Sequence, residues 1–187
     1  MRAFVAVGLP EHVRHALEAL QRELAAARAD VKWVEPANLH LTLKFLDEIT
    51  DDQRIEIEQL LRRIMARQTP VTMRLGGVGA FPSMTAPRVV WVGCEEGAEA
   101  LAQMAGEIEQ EAAALTLRRE ERPFAAHLTI GRVRSPRGRR ELAQAMQQAA
   151  WIPPASWVVS TLTFYRSILG SHGSTYSALA EIPLGGG

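Results

Sequence analysis

The sequence has very little of several residue types and features, and each shortage excludes a class of protein. Among 187 residues, Cys94 is the only cysteine, so the chain has no internal disulfide and no site with several thiolate ligands. No apolar run approaches the ~18 residues that a transmembrane helix needs. The first eight residues also lack the long apolar core of a signal peptide. The sequence therefore predicts a cytoplasmic protein without a membrane span.

The chain also lacks an excess of charge of either sign. The chain has 21 lysine and arginine residues and 21 aspartate and glutamate residues. No overall electrostatic field therefore attracts nucleic acid. Locally the balance differs, because eight arginines and only two glutamates lie between Arg118 and Arg140. This arginine cluster is either an ordinary solvated surface or a rim that attracts phosphate, for which the planar guanidinium group is well suited. Both interpretations stay open at this point.

Length and apolar periodicity predict one domain, residues 1–187, of the α+β class. A chain of this length forms one core or two small lobes packed intimately together. Helical spacing of apolar residues predicts four helices, and a helix at 50–67 has the stripe Ile55, Leu60, Leu61 and Ile64. A strand at 71–78 is expected to precede a loop rich in glycine. The last two strands, at 157–165 and 175–182, form a hairpin with His172 in its solvated turn.

A short sequence occurs twice, and each copy predicts a strand with one polar face. His40-Leu41-Thr42-Leu43 and His127-Leu128-Thr129-Ile130 both read His-Leu-Thr followed by an apolar residue. Successive side chains of a strand point to opposite faces, so the histidine and the threonine share one face, about 7 Å apart. One such motif is weak evidence of function. Its repetition with the same parity predicts a single site with two histidines and two threonines.

The two motif histidines are 87 residues apart (127 − 40), close to half the chain length. Each motif strand is preceded and followed by a helix. This arrangement predicts a duplicated α+β unit that forms two lobes, although the two halves share little identity outside the motif.

Two histidines that face each other across a cleft can divide acid and base catalysis between them. The imidazole pKa of about 6.5 allows a neutral ring to accept a proton from water while a protonated ring donates one to a leaving oxygen. A phosphodiester suits this pair, because threonine hydroxyls beside the rings can donate hydrogen bonds to its nonbridging oxygens. No metal or other cofactor is required, and the motif spacing differs from that of zinc sites.

At these residues the sequence resembles the two-histidine phosphoesterases, a family defined by a pair of His-x-Thr-x motifs. Within the family it is more similar to the bacterial and archaeal RNA 2′,3′-cyclic phosphodiesterases, formerly called 2′-5′ RNA ligases. The resemblance covers most of the chain. The matching segments are 2–7 with 9–10, 33–34 with 38–46, 122–124 with 127–133, and 165–167 with Gly173 and Tyr176.

The resemblance implies a fold, a reaction and a set of site residues. The fold is bilobal, with two pseudo-symmetric lobes, each with an antiparallel sheet and helices, and an active-site cleft between the sheets. The reaction opens a terminal 2′,3′-cyclic phosphate of RNA to a 2′-phosphate. His40 would be the proton donor to the departing 3′ oxygen, and His127 the proton acceptor that activates water. The other implied site residues are Thr42, Thr129 and Arg132 for the phosphate and Phe45 for stacking on the terminal base.

Two of these residues conflict with regular strand parity. Phe45 and Arg132 fall on the apolar faces of their strands if both strands stay regular. We therefore expect a β-bulge or a strand end near Lys44 and near Gly131 that turns both side chains toward the cleft.

The sequence also departs from the family pattern at two positions. Gly8 stands where an acidic residue commonly follows the first strand, and Asp47 stands where glycine usually follows Phe-Leu. Neither touches the motif histidines, but Asp47 is expected to alter the loop at the end of the first motif strand.

Two other functions are compatible with the same residues. The fold can act on another phosphodiester, by ligating or cleaving a 2′-5′ linkage or by opening a small cyclic nucleotide, and only product analysis separates these reactions. A noncatalytic RNA or nucleotide binder would keep the cleft, but the presence of both histidines argues against it. The expected partner is RNA with a 2′,3′-cyclic phosphate end, such as a tRNA fragment or a nucleotide. No feature requires more than a monomer.

Overall fold

A computed structural model of the chain describes residues 1–115, 117, 119–171 and 173–185. Arg118 of the arginine cluster and His172 of the last hairpin lie outside the described residues. The helices are α1 (Glu11–Ala25), α2 (Asp51–Met65), α3 (Ala98–Ala112) and α4 (Arg139–Gln148). The strands are β1 (Arg2–Val7), β2 (Val31–Trp33), β3 (Leu41–Glu48), β4 (Val71–Phe81), β5 (Val89–Glu96), β6 (His127–Val133), β7 (Trp157–Val159), β8 (Thr161–Gly170) and β9 (Gly173–Pro183).

The strands form two sheets whose neighbours run antiparallel. The first sheet has the strand order β3-β1-β8-β9, and the second has the order β2-β6-β5-β4-β7. The motif strands β3 and β6 approach within 8 Å between Cα atoms, so the two sheets come together along these strands. The predicted α+β class with two antiparallel sheets is therefore confirmed.

Each sheet buries one face beneath a pair of helices, which gives two apolar cores. Helices α2 and α3 cover the first sheet, and α1 and α4 cover the second. Helix α2 begins at a capping box formed by Thr50 and Gln53, but its buried stripe differs from the prediction. Ile55 is 47% exposed, whereas Ile57 is buried. Ile57 lies one turn before Leu61, and this pair faces the core.

The two lobes do not correspond to the two halves of the chain. Helix α1 follows β1 of the first sheet but packs into the core of the second. Helix α3 follows β5 of the second sheet but packs into the core of the first. Strands are exchanged in the same way, because β4 joins the second sheet and β8 joins the first. Each copy of the repeat therefore contributes to both lobes, and a lobe is not one copy.

Strand β4 corrects the prediction of a glycine-rich loop. It continues through Gly76, Gly77 and Gly79 to Phe81 and pairs with β5. A Cβ atom on Gly79 would lie 2.2 Å from the indole of Trp91, so glycine here gives room for a ring to cross the strand. The prediction was wrong because it assigned these glycines to a loop. The predicted strand at 157–165 is likewise divided, since β7 pairs with β4 and β8 pairs with β1.

Candidate active site

The two His-Leu-Thr motifs lie at the start of the strands where the sheets meet. His40 directly precedes β3, and His127 is the first residue of β6. The histidines and the threonines Thr42 and Thr129 are partly exposed. The apolar residues between and after them are buried, and these are Leu41, Leu43, Leu128 and Ile130. The predicted parity of both strands is confirmed.

The two histidine rings are held by equivalent hydrogen bonds to the backbone. His40 Nδ1 lies 2.5 Å from the carbonyl oxygen of Asn38, and His127 Nδ1 lies 2.7 Å from that of Ala125, two residues earlier in each case. A carbonyl oxygen only accepts hydrogen bonds, so Nδ1 carries the proton and donates it in both rings. In each neutral ring Nε2 is then the basic nitrogen, and in each protonated ring Nε2–H is the available acid.

The same irregularity occurs in both motif strands. The register between β1 and β3 shifts at Leu43, and the register between β5 and β6 shifts at Ile130. Each shift adds one residue directly after the threonine, as a β-bulge does. After the bulges Phe45 is 59% exposed and Arg132 is also exposed. The expected break in parity near Lys44 and Gly131 is therefore confirmed.

His40 lies in a group of aromatic rings contributed by three other strands. Its ring centroid is 4.8 Å from that of Phe4, 5.2 Å from that of Tyr176 and 6.4 Å from that of Tyr165. Burial among these rings lowers the pKa of His40, because the charged imidazolium loses hydration, and the hydrogen bond to Asn38 offsets part of this effect. His40 in the free protein is therefore biased toward its neutral form.

His127 has fewer ring neighbours. Its centroid is 5.2 Å from that of Phe81, which it meets edge to face, and 6.3 Å from that of Trp91. Phe81 is 41% exposed, and the hydrogen bond from His127 to Ala125 is exposed to solvent. The second histidine thus lies on an aromatic surface but remains open to water.

Positive charge reaches the aromatic group from both sheets. Arg132 of the second sheet and Arg2 of the first are close enough to Tyr176 to lower the pKa of its hydroxyl, although burial outweighs them and the net pKa is raised. Other members of the arginine cluster behave differently. Arg137, for example, forms a salt bridge with Asp30 at 4.0 Å and is 75% exposed. The structure therefore connects Arg132, rather than the cluster as a unit, with the motif residues.

Two open spaces lie near the motif strands. A pocket of about 130 Å³ lies beside Phe45, with Arg2, Asp47 and Tyr176 in its walls. A groove of about 590 Å³ lies beside Trp91, with Trp151 and several glycines of β4 and β5 in its walls. Gly93, which also lines this groove, is paired with His127 in the sheet. The pocket thus adjoins the first motif strand, β3, and the groove adjoins β5, the strand that pairs with the second motif strand.

Among the residues that the structure describes, no group of three or more His, Cys, Asp or Glu side chains is arranged to hold a metal ion. Within the same residues, no helix has both the length and the apolar character to cross a bilayer. Burial raises the pKa of the Cys94 thiol to about 11, so this cysteine is a poor nucleophile near neutral pH.

Most of the aromatic residues around the histidines have no role in the site that the sequence predicts. These residues are Phe4, Phe81, Trp91, Tyr165 and Tyr176. One signal was present, because Phe4 alternates with the core residues Ala3 and Val5 along β1 and so points away from the core. The grouping itself depends on which strands are neighbours, and no local pattern in the sequence carries that information.

The comparison with known proteins agrees with this geometry. The model of the family described as LigT like phosphoesterase matches the chain twice, over residues 7–91 and 92–176, and each match contains one His-x-Thr motif. The RNA 2′,3′-cyclic phosphodiesterase of Methanothermobacter thermautotrophicus is 35% identical over 177 residues, covering 95% of either chain.

Solved structures show the same architecture. The protein TT0787 of Thermus thermophilus has a TM-score of 0.82 at 30% identity, covering 100% of this chain and 99% of that one. Escherichia coli LigT in complex with 3′-AMP has a TM-score of 0.76 at 28% identity, covering 98% and 97%. With family matches over nearly its whole length, the chain belongs to the LigT like phosphoesterase family.

Proposed function

We propose that this protein hydrolyses the 2′,3′-cyclic phosphate at the end of an RNA to a 2′-phosphomonoester, without a metal ion. The observation that carries the proposal is the common anchoring of the two motif histidines. Both rings donate Nδ1–H to a backbone carbonyl and keep Nε2 for proton exchange. The name of the Methanothermobacter relative supports the choice of substrate, and the complex of Escherichia coli LigT with 3′-AMP supports a site for a nucleotide.

In the proposed reaction the two histidines move two protons in opposite directions. His127 Nε2 accepts a proton from water as the water oxygen forms a bond to phosphorus. The bond from phosphorus to O3′ breaks, and His40 Nε2–H donates its proton to the departing O3′. The phosphate stays on O2′. The products are a 2′-phosphomonoester and a 3′-hydroxyl, and one proton remains to be passed from His127 back to His40 through solvent.

Thr42, Thr129 and Arg132 are the proposed ligands of the phosphate. The threonine hydroxyls can donate to the nonbridging oxygens, whose charge increases as the five-coordinate phosphorus forms. Arg132 adds a permanent positive charge, and its bulge turns it out of the apolar face of β6. Phe45, equally exposed by a bulge, is the proposed stacking surface for the terminal base.

The lowered pKa of His40 requires a further step for its proposed role as proton donor. A donor must be protonated, whereas burial favours the neutral ring in the free protein. A bound phosphodiester supplies a negative charge beside the ring, and an opposite charge favours the protonated form. We therefore propose that His40 takes up its proton together with the substrate.

A short oligonucleotide that ends in a 2′,3′-cyclic phosphate tests the proposal directly. With a chelator present, the product should carry its phosphate on O2′, which chromatography against 2′- and 3′-phosphate standards distinguishes. A product with a 3′-phosphate would overturn the assignment. Activity that disappears with the chelator and returns with a divalent ion would overturn the metal-free mechanism.

A 2′-5′ phosphodiester is a second candidate substrate, favoured by the groove beside Trp91 and Gly93 of β5. Its volume of about 590 Å³ is within the ~300 to 1,000 Å³ of small-molecule sites. A nucleoside held there would present its 5′-hydroxyl in place of the attacking water. The reaction would then form a 2′-5′ linkage, and its reversal would cleave one. Adding an oligonucleotide with a free 5′-hydroxyl to the same assay tests this activity, and binding without any product would favour the noncatalytic alternative.

The proposed setting is a cytoplasmic monomer that acts on RNA ends. A reduced single thiol is compatible with that compartment. All the proposed site residues come from one chain, so the chemistry needs no partner subunit. Oligonucleotides, tRNA fragments and nucleotides with cyclic ends are the proposed ligands.

A further inference from the structure

Lys32 and Arg132 lie side by side on one face of the second sheet. Lys32 of β2 is directly paired with Arg132 of β6, and directly paired residues of antiparallel strands share a face, with Cβ atoms about 5 Å apart. The strand neighbours Val31 and Trp33 lie on the other face, where a Cβ atom on Gly131 would be 2.9 Å and 2.8 Å from their side chains. Both cations are exposed.

This face is the one that carries the second motif. Arg132 and Thr129 pair with residues of β5 on either side of the buried Val90. Because Val90 points into the core, those two partners point away from it, and Arg132 and Thr129 point the same way. Lys32 therefore lies on the same face as two of the proposed phosphate ligands.

The side chain of Lys32 extends to the last hairpin of the first sheet. A Cβ atom on Gly173 would lie 3.3 Å from Lys32 Nζ, so glycine at this position allows the ammonium group to approach the backbone closely. The carbonyl oxygen of the next residue, Ser174, accepts a hydrogen bond of 2.8 Å from Asn38 Nδ2, and the carbonyl of Asn38 holds the ring of His40. The ammonium group thus lies beside the segments that fix the first motif histidine.

Neither of the two cations forms an ion pair within the part of the chain that the structure describes. By contrast, Arg74 of the same sheet pairs with Glu95 at 3.0 Å. Like charges directly opposite each other on neighbouring strands are destabilising. A local cost of this kind is typical of functional sites, and here an anionic substrate would offset it.

One phosphate does not account for both charges. A phosphodiester, cyclic or linear, carries one negative charge, whereas a phosphomonoester carries about −1.5 to −2 at pH 7. Two cations on the reacting phosphate would therefore favour the product over the substrate. Arg132 already supplies one positive charge there, which leaves Lys32 for a second anion. In RNA the next anion is the phosphodiester that joins the terminal nucleotide to the one before it.

We propose that Lys32 binds the phosphodiester on the 5′ side of the terminal nucleotide and thereby makes the protein prefer RNA ends to cyclic mononucleotides. The inference rests on the proposed function. A cyclic mononucleotide lacks this second phosphate and cannot make the contact. An ammonium group binds phosphate as a point charge, and a contact to the nucleic acid backbone carries no sequence information, so the preference is independent of the bases.

The test compares adenosine 2′,3′-cyclic phosphate with a dinucleotide of adenosine that has the same cyclic end. The parent should have a kcat/KM about ten-fold or more higher for the dinucleotide, as one hydrogen bond to a charged group gives. Lys32→Gln should lower kcat/KM for the dinucleotide by about ten-fold, mainly through KM. For the mononucleotide the loss should be about two-fold, because only a screened long-range attraction is removed.

A dinucleotide whose internal linkage is a neutral methylphosphonate removes the same interaction from the substrate. The parent should hydrolyse this analogue about as well as the mononucleotide, and Lys32→Gln should reduce that rate by no more than about two-fold. A merely structural defect would instead lower the rates for both dinucleotides equally. The dependence of log(kcat/KM) on log salt for the charged dinucleotide should also become shallower in Lys32→Gln, by about 0.7 in slope.

Arg22→Gln is the matched control. Arg22 is an exposed residue of α1, the helix that packs on the opposite, core side of the same sheet. Removal of its charge should change kcat/KM by less than about two-fold for both substrates. A loss for the dinucleotide equal to that in Lys32→Gln would show a general effect of charge and overturn the proposal.

Failure of this inference is distinguishable from failure of the proposed function. Equal losses for the mononucleotide and the dinucleotide in Lys32→Gln would assign Lys32 to the reacting phosphate and overturn the inference, while the phosphodiesterase activity stands. The absence of any loss would overturn it as well. If neither substrate is hydrolysed, the proposed function fails, and the affinities of the parent for the charged and the methylphosphonate dinucleotides decide the inference. Equal affinities would then overturn it.

Discussion

The two histidine motifs have the same backbone conformation but different surroundings. In both, a carbonyl two residues earlier accepts Nδ1–H, and a bulge after the threonine turns the fifth residue beyond the histidine outward. That fifth residue is Phe45 in one motif and Arg132 in the other. The repeated motif strand therefore presents an aromatic ring in the first copy and a positive charge at the equivalent position of the second copy.

Burial is the second difference between the motifs. His40 lies among three aromatic rings and has a lowered pKa, whereas His127 contacts an exposed Phe81. Acid and base catalysis needs two groups in different protonation states. Unequal environments can give two chemically identical side chains different pKa values. A symmetric backbone thus gives an asymmetric site, with the nucleoside proposed on the side of His40 and the attacking water on the side of His127.

The largest expected effect is the loss of either histidine. His40→Ala and His127→Ala should each reduce kcat/KM by at least ~100-fold, because each removes one proton-transfer group. The double variant should lose much less than the product of the two single losses, since the histidines act as one unit. The measurement is initial-rate kinetics on the oligonucleotide with a cyclic end.

His12→Ala is a suitable control for these variants. His12 is an exposed residue of α1 whose Nε2 lies 3.0 Å from the carbonyl oxygen of Ala155. Its replacement should leave kcat/KM within about two-fold of the parent, as expected for a surface change. If either motif variant also stays within a few-fold of the parent, that histidine has no part in the reaction.

The next largest effect concerns stability and the residue before Phe45. Lys44 is buried and forms an ion pair with Glu109 of α3, while Gly131 at the equivalent position packs under Trp33. Glu109→Gln removes a negative charge that pairs with the buried Lys44 and should lower the free energy of unfolding by about 3 kcal/mol. Chemical denaturation at pH 7 measures this loss.

Glu111→Gln on the same helix separates this effect from a general effect of charge. Glu111 pairs with Arg67 at 2.7 Å, but the two side chains are 35% and 55% exposed. The expected loss is below about 1 kcal/mol. Equal losses in the two variants would show that the Lys44 pair contributes no more than a surface pair.

Much of the site followed from local patterns in the sequence. The His and Thr parity depended only on the alternation of a strand, whereas the two bulges were expected because the family resemblance placed Phe45 and Arg132 in the site against that alternation. The aromatic group around His40 could not be predicted, since Phe4, Tyr165 and Tyr176 lie on three strands and meet only through the sheet order. The packing of α1 into the second core and of α3 into the first could not be predicted either. An apolar stripe shows that one face of a helix is buried, but it does not show against which sheet.

Smaller effects are expected from the two threonines. Thr42→Val and Thr129→Val keep the shape of the side chain and remove one hydrogen bond to a charged phosphate, worth about 1.5 kcal/mol. Each variant should therefore lose about ten-fold in kcat/KM. The exposed Thr72 of β4 gives the control, since Thr72→Val should leave kcat/KM unchanged. A much larger loss at one threonine than at the other would show that the phosphate is held mainly by one lobe.

The smallest expected effect is a displacement of the pH profile, and it tests whether the ionisation of His40 governs the reaction. One limb of a bell-shaped profile of kcat/KM follows the pKa of His40 in the free protein, and burial lowers this pKa from the usual histidine value of about 6.5. Tyr176→Ala uncovers the ring, raises the pKa of His40 and should move this limb to higher pH. Tyr176→Phe keeps the covering ring and should leave the limb in place. If neither limb moves in Tyr176→Ala, the ionisation of His40 has no part in the reaction.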